Sequence, residues 1–363
     1  MYLLTGDIGG TQARFRLLQA DRGQWRIRHQ TSWPSGRFLS LSDAADRYLS
    51  GVLSPRQREA VAGAWFAVAG PVQGSRVDFT NLPWRADAAS LAEDLNLPAV
   101  HLVNDLAALV QAIPFLARDT QVVIQQGVEN EGRKLVIAPG TGLGVAAWRG
   151  DMAGVEALPS EGGHCDLAPA SAAHLDLLRY LFDDLGHVSY ERVLSGPGLV
   201  TLYHFARRNP VRPSSGQGSS AQGSSAQWNS ARCDNGKAPL PDDATTEVDA
   251  TTEVSAAWVV EQSRNGDAPA QAAMTLFVEL LGAFAGTTAL QWLADGGVYL
   301  AGGIVSGLYP ALQSTAFRQA FHNKGRMRPL MERIPVVAIT RADAGLEGIS
   351  RLAIDSHNAA AGD

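Results

Sequence analysis

An α/β protein of two similarly planned domains is the fold class this sequence predicts. Three observations carry the prediction. Short apolar segments of strand length alternate with segments of helical spacing along most of the chain. A strand, a glycine turn and a second strand occur twice, at 3–18 and again at 134–148. The chain has 363 residues, enough for two hydrophobic cores. Two such halves are expected to face each other across a cleft.

The elements follow in order. Leu3 to Asp7 reads as a buried strand ending on a carboxylate, Gly9-Gly10-Thr11 as a turn, and Ala13 to Leu18 and Trp25 to Trp33 as strands of one antiparallel meander. Leu39 to Leu49 has helical spacing, with Leu39, Leu41, Ala45, Tyr48 and Leu49 on its apolar face. Gly63 to Ala69 is a strand closed by Gly70-Pro71, and Asp87 is placed to cap a helix over Ala88 to Leu95. Ala99 to Val103 is a strand. Asn104-Asp105 open a helix that runs to about Ile113, before Pro114.

The pattern then restarts. Strands are expected at Gln121 to Gln126, Lys134 to Ala138 and Val145 to Trp148, the last two joined by a glycine-rich turn. Helices are expected at Ala172 to Leu185, Gly198 to Arg207, Ala268 to Leu293 and Leu308 to Phe321. Strands at Gly297 to Ala301 and Ile334 to Ile339 and a helix at Leu346 to Ile354 complete the chain. Pro210 to Val254 differs in kind. Gly-Ser-Ser-Ala-Gln and Asp-Ala-Thr-Thr-Glu-Val are each repeated in tandem there, apolar residues are few, and the segment reads as a largely disordered low-complexity insertion.

Composition excludes several classes. A net charge of −6 gives no general attraction to nucleic acid or to an anionic membrane. Two cysteines, Cys165 and Cys233, exclude a disulfide framework and a four-cysteine zinc site. No apolar run is expected to reach membrane-spanning length, and Asp7 comes too early for a secretory leader. A cytoplasmic enzyme is the expectation.

Four groups of residues can carry chemistry. Asp7 closes a strongly apolar strand beside Gly9-Gly10-Thr11, where a carboxylate can meet a hydrated cation and turn N–H groups can meet phosphate. Gly140-Thr141-Gly142-Leu143-Gly144 is a second donor-rich turn, and Gly302-Gly303 is a glycine pair after a third strand. None has the lysine of a Walker loop. Each alone reads equally well as a plain turn, but three after apolar strands suggest a phosphate-bearing ligand between domains. Asp105 stands at a strand-to-helix junction, where it either caps the helix or takes a proton from a substrate hydroxyl, with Asn104 orienting the same ligand. Ser160-Glu161-Gly162-Gly163-His164 sets a carboxylate and an imidazole around a Gly-Gly pair, which suits a ligand with several hydroxyls, and Glu191 is a further candidate. Zinc at His164 and Cys165 is not expected, because no further ligand lies at finger spacing.

The order of these motifs resembles the bacterial glucokinases that lack a cysteine-rich zinc motif, within the actin-like sugar-kinase ATPase superfamily. The matching pieces are Gly6-Asp7-Ile8-Gly9-Gly10-Thr11-Gln12-Ala13-Arg14, Ala69-Gly70-Pro71-Val72, Phe79-Thr80-Asn81-Leu82-Pro83-Trp84, Val103-Asn104-Asp105-Leu106-Ala107-Ala108, Pro139-Gly140-Thr141-Gly142-Leu143-Gly144, Glu161-Gly162-Gly163-His164, Glu191-Arg192-Val193-Leu194-Ser195-Gly196-Pro197-Gly198 and Ala301-Gly302-Gly303-Ile304. They span nearly the whole chain outside the insertion.

The resemblance implies a two-domain actin-like (ribonuclease H-like) α/β fold with an interdomain cleft. It implies a smaller domain at 1–115 plus 345–363 and a larger one at 116–344, carrying the insertion at 210–254. It implies ATP-dependent phosphorylation of the D-glucose 6-hydroxyl, the opening step of glycolysis. Asp105 is then the catalytic base, and Asn104, Glu161, His164 and Glu191 hold sugar hydroxyls. Gly6, Asp7, Ile8, Gly9, Gly10 and Thr11, with Gly140, Thr141, Gly142, Gly302 and Gly303, serve ATP, and Asp7 serves Mg²⁺ through water. Gln12, Ser160 and Cys165 depart from the residues usual at their positions. A kinase for another hexose or an amino sugar, a non-catalytic sugar sensor and an actin-like or chaperone ATPase remain open alternatives, as does a homodimer.

Overall fold

The computed structural model describes residues 1–128, 130–151, 154–209 and 254–362. Apart from Val254, the expected insertion lies outside the described residues. The chain divides into two compact units. Unit 1 comprises 1–161, 289–309 and 333–363, and unit 2 comprises 162–288 and 310–332.

Unit 1 holds two mixed sheets on the same plan. In the first, β1 (Tyr2–Ile8), β2 (Gln12–Asp21) and β3 (Gln24–Pro34) form the expected antiparallel meander. β4 (Val61–Val68) pairs parallel to β1. Three short strands, β5 (Val72–Gln73), β6 (Arg76–Asp78) and β7 (Arg85–Asp87), make a separate small sheet. β8 (Val100–Asn104) pairs parallel to β4 and completes the order β3-β2-β1-β4-β8. The second sheet has the order β12-β11-β10-β13-β14-β9, from β9 (Gln121–Gln125), β10 (Lys134–Pro139), β11 (Leu143–Asp151), β12 (Gly154–Ser160), β13 (Gly297–Leu300) and β14 (Val336–Ile339). Here too a three-strand antiparallel meander, β10 to β12, is extended by parallel strands, β13 and β14. The repeated strand–turn–strand pattern of the sequence is thus a repeated topology.

Helices α1 (Leu41–Val52), α2 (Pro55–Arg58) and α3 (Ala88–Leu95) precede α4 (Asp105–Ala112). Asp87 caps α3 as expected, accepting from the N–H groups of Ala89 and Ser90 at 3.0 and 3.1 Å. Leu39 falls outside α1, which Ser40 caps, and is 90% exposed rather than part of the apolar face. Unit 2 contains α5 (Ala172–Leu185), α6 (Gly196–Arg208), α7 (Ala256–Arg264) and most of α8 (Ala268–Trp292). The helix expected over Leu308 to Phe321 is two helices, α9 (Gly303–Leu312) and α10 (Thr315–His322), broken where Ser314 takes an extended conformation. α11 (Arg328–Met331) and α12 (Ala344–Gly362) follow.

One sequence expectation fails at α8. By length and composition this helix could cross a membrane, yet 78% of its apolar window is buried inside the protein. Its glycines explain how: a Cβ at Gly282 or Gly286 would strike the backbone carbonyls of Phe317 or Phe321, so α10 lies directly against α8.

α4 positions the site. One of its faces packs with Val136, Ala146 and Trp148 of the second sheet. Its Ala108 joins Leu3, Trp65, Leu346, Ile349 and Ala353 in a core between the first sheet and α12. Gly348 of α12 sits so close to the Ala108 carbonyl that no Cβ fits. α12 is also tied by buried Arg16, which donates to Gln30, Ser350, Glu347 and Asp343 at 2.9 to 3.2 Å. A buried guanidinium with partners all round is tolerated where an unpaired one would not be.

Candidate active site

Three turns of unit 1 carry the glycines expected to meet phosphate. β1 and β2 are joined through Gly9-Gly10-Thr11, closed by the Gly9 N–H donating to the Gln12 carbonyl at 2.9 Å. β10 and β11 are joined through Gly140-Thr141-Gly142, closed by the Gly140 N–H donating to the Gly142 carbonyl at 2.8 Å. The two turns meet, with the Thr11 and Thr141 hydroxyls 3.3 Å apart. Gly302, after β13, has φ +95° and lies against the Pro139 carbonyl, so this turn requires glycine. Gly10 packs on the Asn81 side chain and Gly144 on Leu106, which fixes the turns to their neighbours.

Asp7 is the second-last residue of β1, beside these turns. Its carboxylate accepts from Arg14 Nη1 at 3.2 Å and faces the backbone of Gly345 at the start of α12. Burial raises its pKa, and Arg14 opposes that shift. Neither partner announced itself in the sequence: Arg14 belongs to a quoted motif without a role, and Gly345 lies far along the chain.

The helix cap is Asn104, not Asp105. Asn104 Oδ1 accepts from the N–H groups of Leu106 and Ala107, at 3.1 and 3.3 Å, and its Nδ2 donates to the Gly70 carbonyl at 3.2 Å. Asp105 is the first helical residue and accepts from the Leu106 N–H at 2.9 Å. Relieved of capping, its carboxyl is pushed up to about 7, first by burial and then by the negative charges of Asp7 and Glu161. A carboxyl that ionises near neutrality is matched to taking a proton from an alcohol.

His164 and Glu191 belong to unit 2. Gly162–His164 and Tyr190–Arg192 each form a short 3₁₀ turn. The Tyr190 N–H donates to the Cys165 carbonyl at 3.0 Å, which holds the two turns side by side. His164 Nδ1 lies 3.9 Å from Glu191 Oε1, with both side chains partly open to solvent. Ser195 caps α6 and donates its hydroxyl to the Glu191 carbonyl at 2.7 Å, fixing that turn. Cys165 is exposed. Gln12 accepts from the Ser32 hydroxyl at 2.9 Å across β2 and β3.

The structure therefore gathers Asp7, Thr11, Asn104, Asp105, Thr141 and Glu161 in unit 1, and His164 with Glu191 in unit 2. Among the described residues, no group of three or more His, Cys, Asp or Glu could hold a metal ion. The donor set fits instead a hydrated divalent cation met by one carboxylate. Asp7 and Asp105 repel each other, with Arg14 as the counter-charge bonded to Asp7.

The α/β fold with mixed sheets is that of the sugar kinases. It is similar to the crystal structure of a glucokinase from an Antarctic psychrotroph, with a TM-score of 0.71 and 29% identity, covering 98% of this chain and 99% of that one. The chain belongs to the glucokinase family: the family's sequence model matches residues 4–356. It is 36% identical to the glucokinase of Marinobacter nauticus over 352 residues, 96% of this chain and 95% of the relative. It is 33% identical to that of Trichormus variabilis over 350 residues, 95% of this chain and 97% of the relative.

Proposed function

We propose that this protein transfers the γ-phosphoryl group of ATP to the 6-hydroxyl of D-glucose. One observation above all supports the reading: a carboxyl at the head of α4, ionising near neutrality, shares unit 1 with two touching threonine–glycine turns. Family membership over nearly the whole chain supports the same substrates.

Asp105 accepts the proton of the 6-hydroxyl as its oxygen bonds to the γ-phosphorus. The bond from that phosphorus to the β–γ bridging oxygen breaks, and ADP leaves with the electron pair. Gly10, Thr11 and Thr141 donate to phosphate oxygens, with Gly6, Ile8, Gly9, Gly140 and Gly142 shaping the turns, the Gly9 and Gly140 N–H groups closing them, and Gly302-Gly303 lying near the adenosine. Asp7 would hold Mg²⁺ through water. When bound, that ion supplies positive charge to the polyphosphate. Asn104, Glu161, His164 and Glu191 hold the sugar hydroxyls. Once the site has closed on the sugar, groups left without a partner when a hydroxyl is absent or inverted give discrimination among sugars.

The working lobes are 1–115 with 345–363, and 116–344, in an actin-like arrangement whose cleft closes on glucose. Closure excludes water, which would otherwise take the phosphoryl group. The product, glucose 6-phosphate, opens glycolysis in the cytoplasm. The test is Asp105→Asn assayed two ways: calorimetric glucose binding is expected to survive while turnover is lost. Turnover close to wild type would remove Asp105 from the role.

A further inference from the structure

The second sheet of unit 1 has a surface that phosphoryl transfer does not use. Val136, Tyr299, Val337 and Val123 stand in register across β10, β13, β14 and β9, on one face. α4 covers the Val136 end of that row. Beyond it lies a recess of about 510 Å³, floored by Tyr299, Val337 and Val123 and flanked by Arg118 and Lys134. That volume is within the range of small-ligand pockets.

Its position separates it from the phosphate turns. Lys134 begins β10, whereas Gly140-Thr141-Gly142 follows the other end of the same strand, roughly 20 Å away at the rise of an extended chain. Its chemistry is also specific. Among the described residues no carboxylate lines the recess. Arg118 makes no ion pair among the described residues, and the Lys134 ammonium donates only to the Gly150 carbonyl, at 3.4 Å. Among the described residues, two cations thus flank an apolar floor without a carboxylate partner. The floor is firm: Tyr299 is backed by the fully buried Trp148 ring, with centroids 5.0 Å apart. Val123 is 46% exposed, so apolar surface is available to a ligand. β9 and β10 are three strands apart, roughly 14 Å, which two long side chains can close from both sides.

We propose that this recess binds a small anion bearing a flat apolar ring, with the ring on Tyr299, Val337 and Val123 and the acidic group between Arg118 and Lys134. Charge-assisted contacts fix the acid and apolar burial holds the ring. The probe is 8-anilinonaphthalene-1-sulfonate, titrated by fluorescence into the full-length protein saturated with glucose and a non-hydrolysable ATP analogue. Saturable binding at one site is expected, weakened at least about tenfold by the double variant Arg118→Ala, Lys134→Ala. The double variant should keep wild-type thermal unfolding and turnover, since neither residue belongs to the catalytic machinery. Absence of saturable binding, displacement of the probe by glucose and the ATP analogue, or equal affinity in the double variant would overturn the proposal.

Discussion

On the proposed reading, Asp105 carries both the function and a cost in stability. With its carboxyl at about 7, it must lose its proton to act as a base, so kcat is expected to rise with pH through an ionisation near 7 and level off above it. An acid limb lying below about pH 5 would contradict that assignment. Asp105→Ala is expected to lower kcat by at least about 10²-fold while glucose binding persists. The same shift makes a stability prediction. The folded-state pKa lies above the ordinary value of 3.8, so the native chain binds the proton more tightly than the unfolded one. The stability this contributes is complete below about pH 4 and is lost as pH rises through about 7. Asp105→Asn, which cannot ionise, should therefore gain stability over the wild type between about pH 5 and pH 8, by on the order of 2 kcal/mol. Thermal unfolding at the two pH values measures this, and an equal difference at both would refute it. At the sugar end, Glu191→Gln keeps the shape of the side chain and removes its charge. It should raise KM for glucose by about 10-fold or more, the weight of a charged hydrogen bond.

At the scale of elements, the crossing of α4 and α12 holds Asp105 in place. Gly348 allows that crossing, because a Cβ there would collide with the Ala108 carbonyl. Gly348→Ala should cost about 1–3 kcal/mol and lower the melting temperature, the usual penalty for overpacking. A melting temperature equal to wild type would show that the helices part freely. The sequence revealed the two glycine hairpins, their flanking strands and α3 with its Asp87 cap, because these depend on local spacing and local hydrogen bonds. It did not reveal the Gly348–Ala108 contact or the ties of Arg16 to Asp343 and Glu347, which join residues more than 200 positions apart. Leu39 misled because its spacing matched α1 while Ser40 starts the helix after it. Leu308 to Phe321 misled because the apolar rhythm runs on across the break at Ser314. β12 escaped notice, although it is the third strand of the second meander and the counterpart of β3 in the first.

At the scale of the whole molecule, the candidate residues divide between the two units: Asp105, the turns and Glu161 in one, His164 and Glu191 in the other. The sequence named all of them but could not say which would share a unit, since that depends on how distant segments assemble. On the proposed reading the lobes 1–115 with 345–363 and 116–344 close on the sugar, so saturating glucose is expected to reduce the radius of gyration in small-angle scattering. An unchanged radius would count against closure. The central claim is phosphoryl transfer to glucose, and the most direct measurement is ADP release from Mg-ATP with and without the sugar. The account predicts ADP formation that depends on glucose and yields glucose 6-phosphate in equal amount; ADP release indifferent to glucose, or sugar binding with no ADP formed, would contradict it.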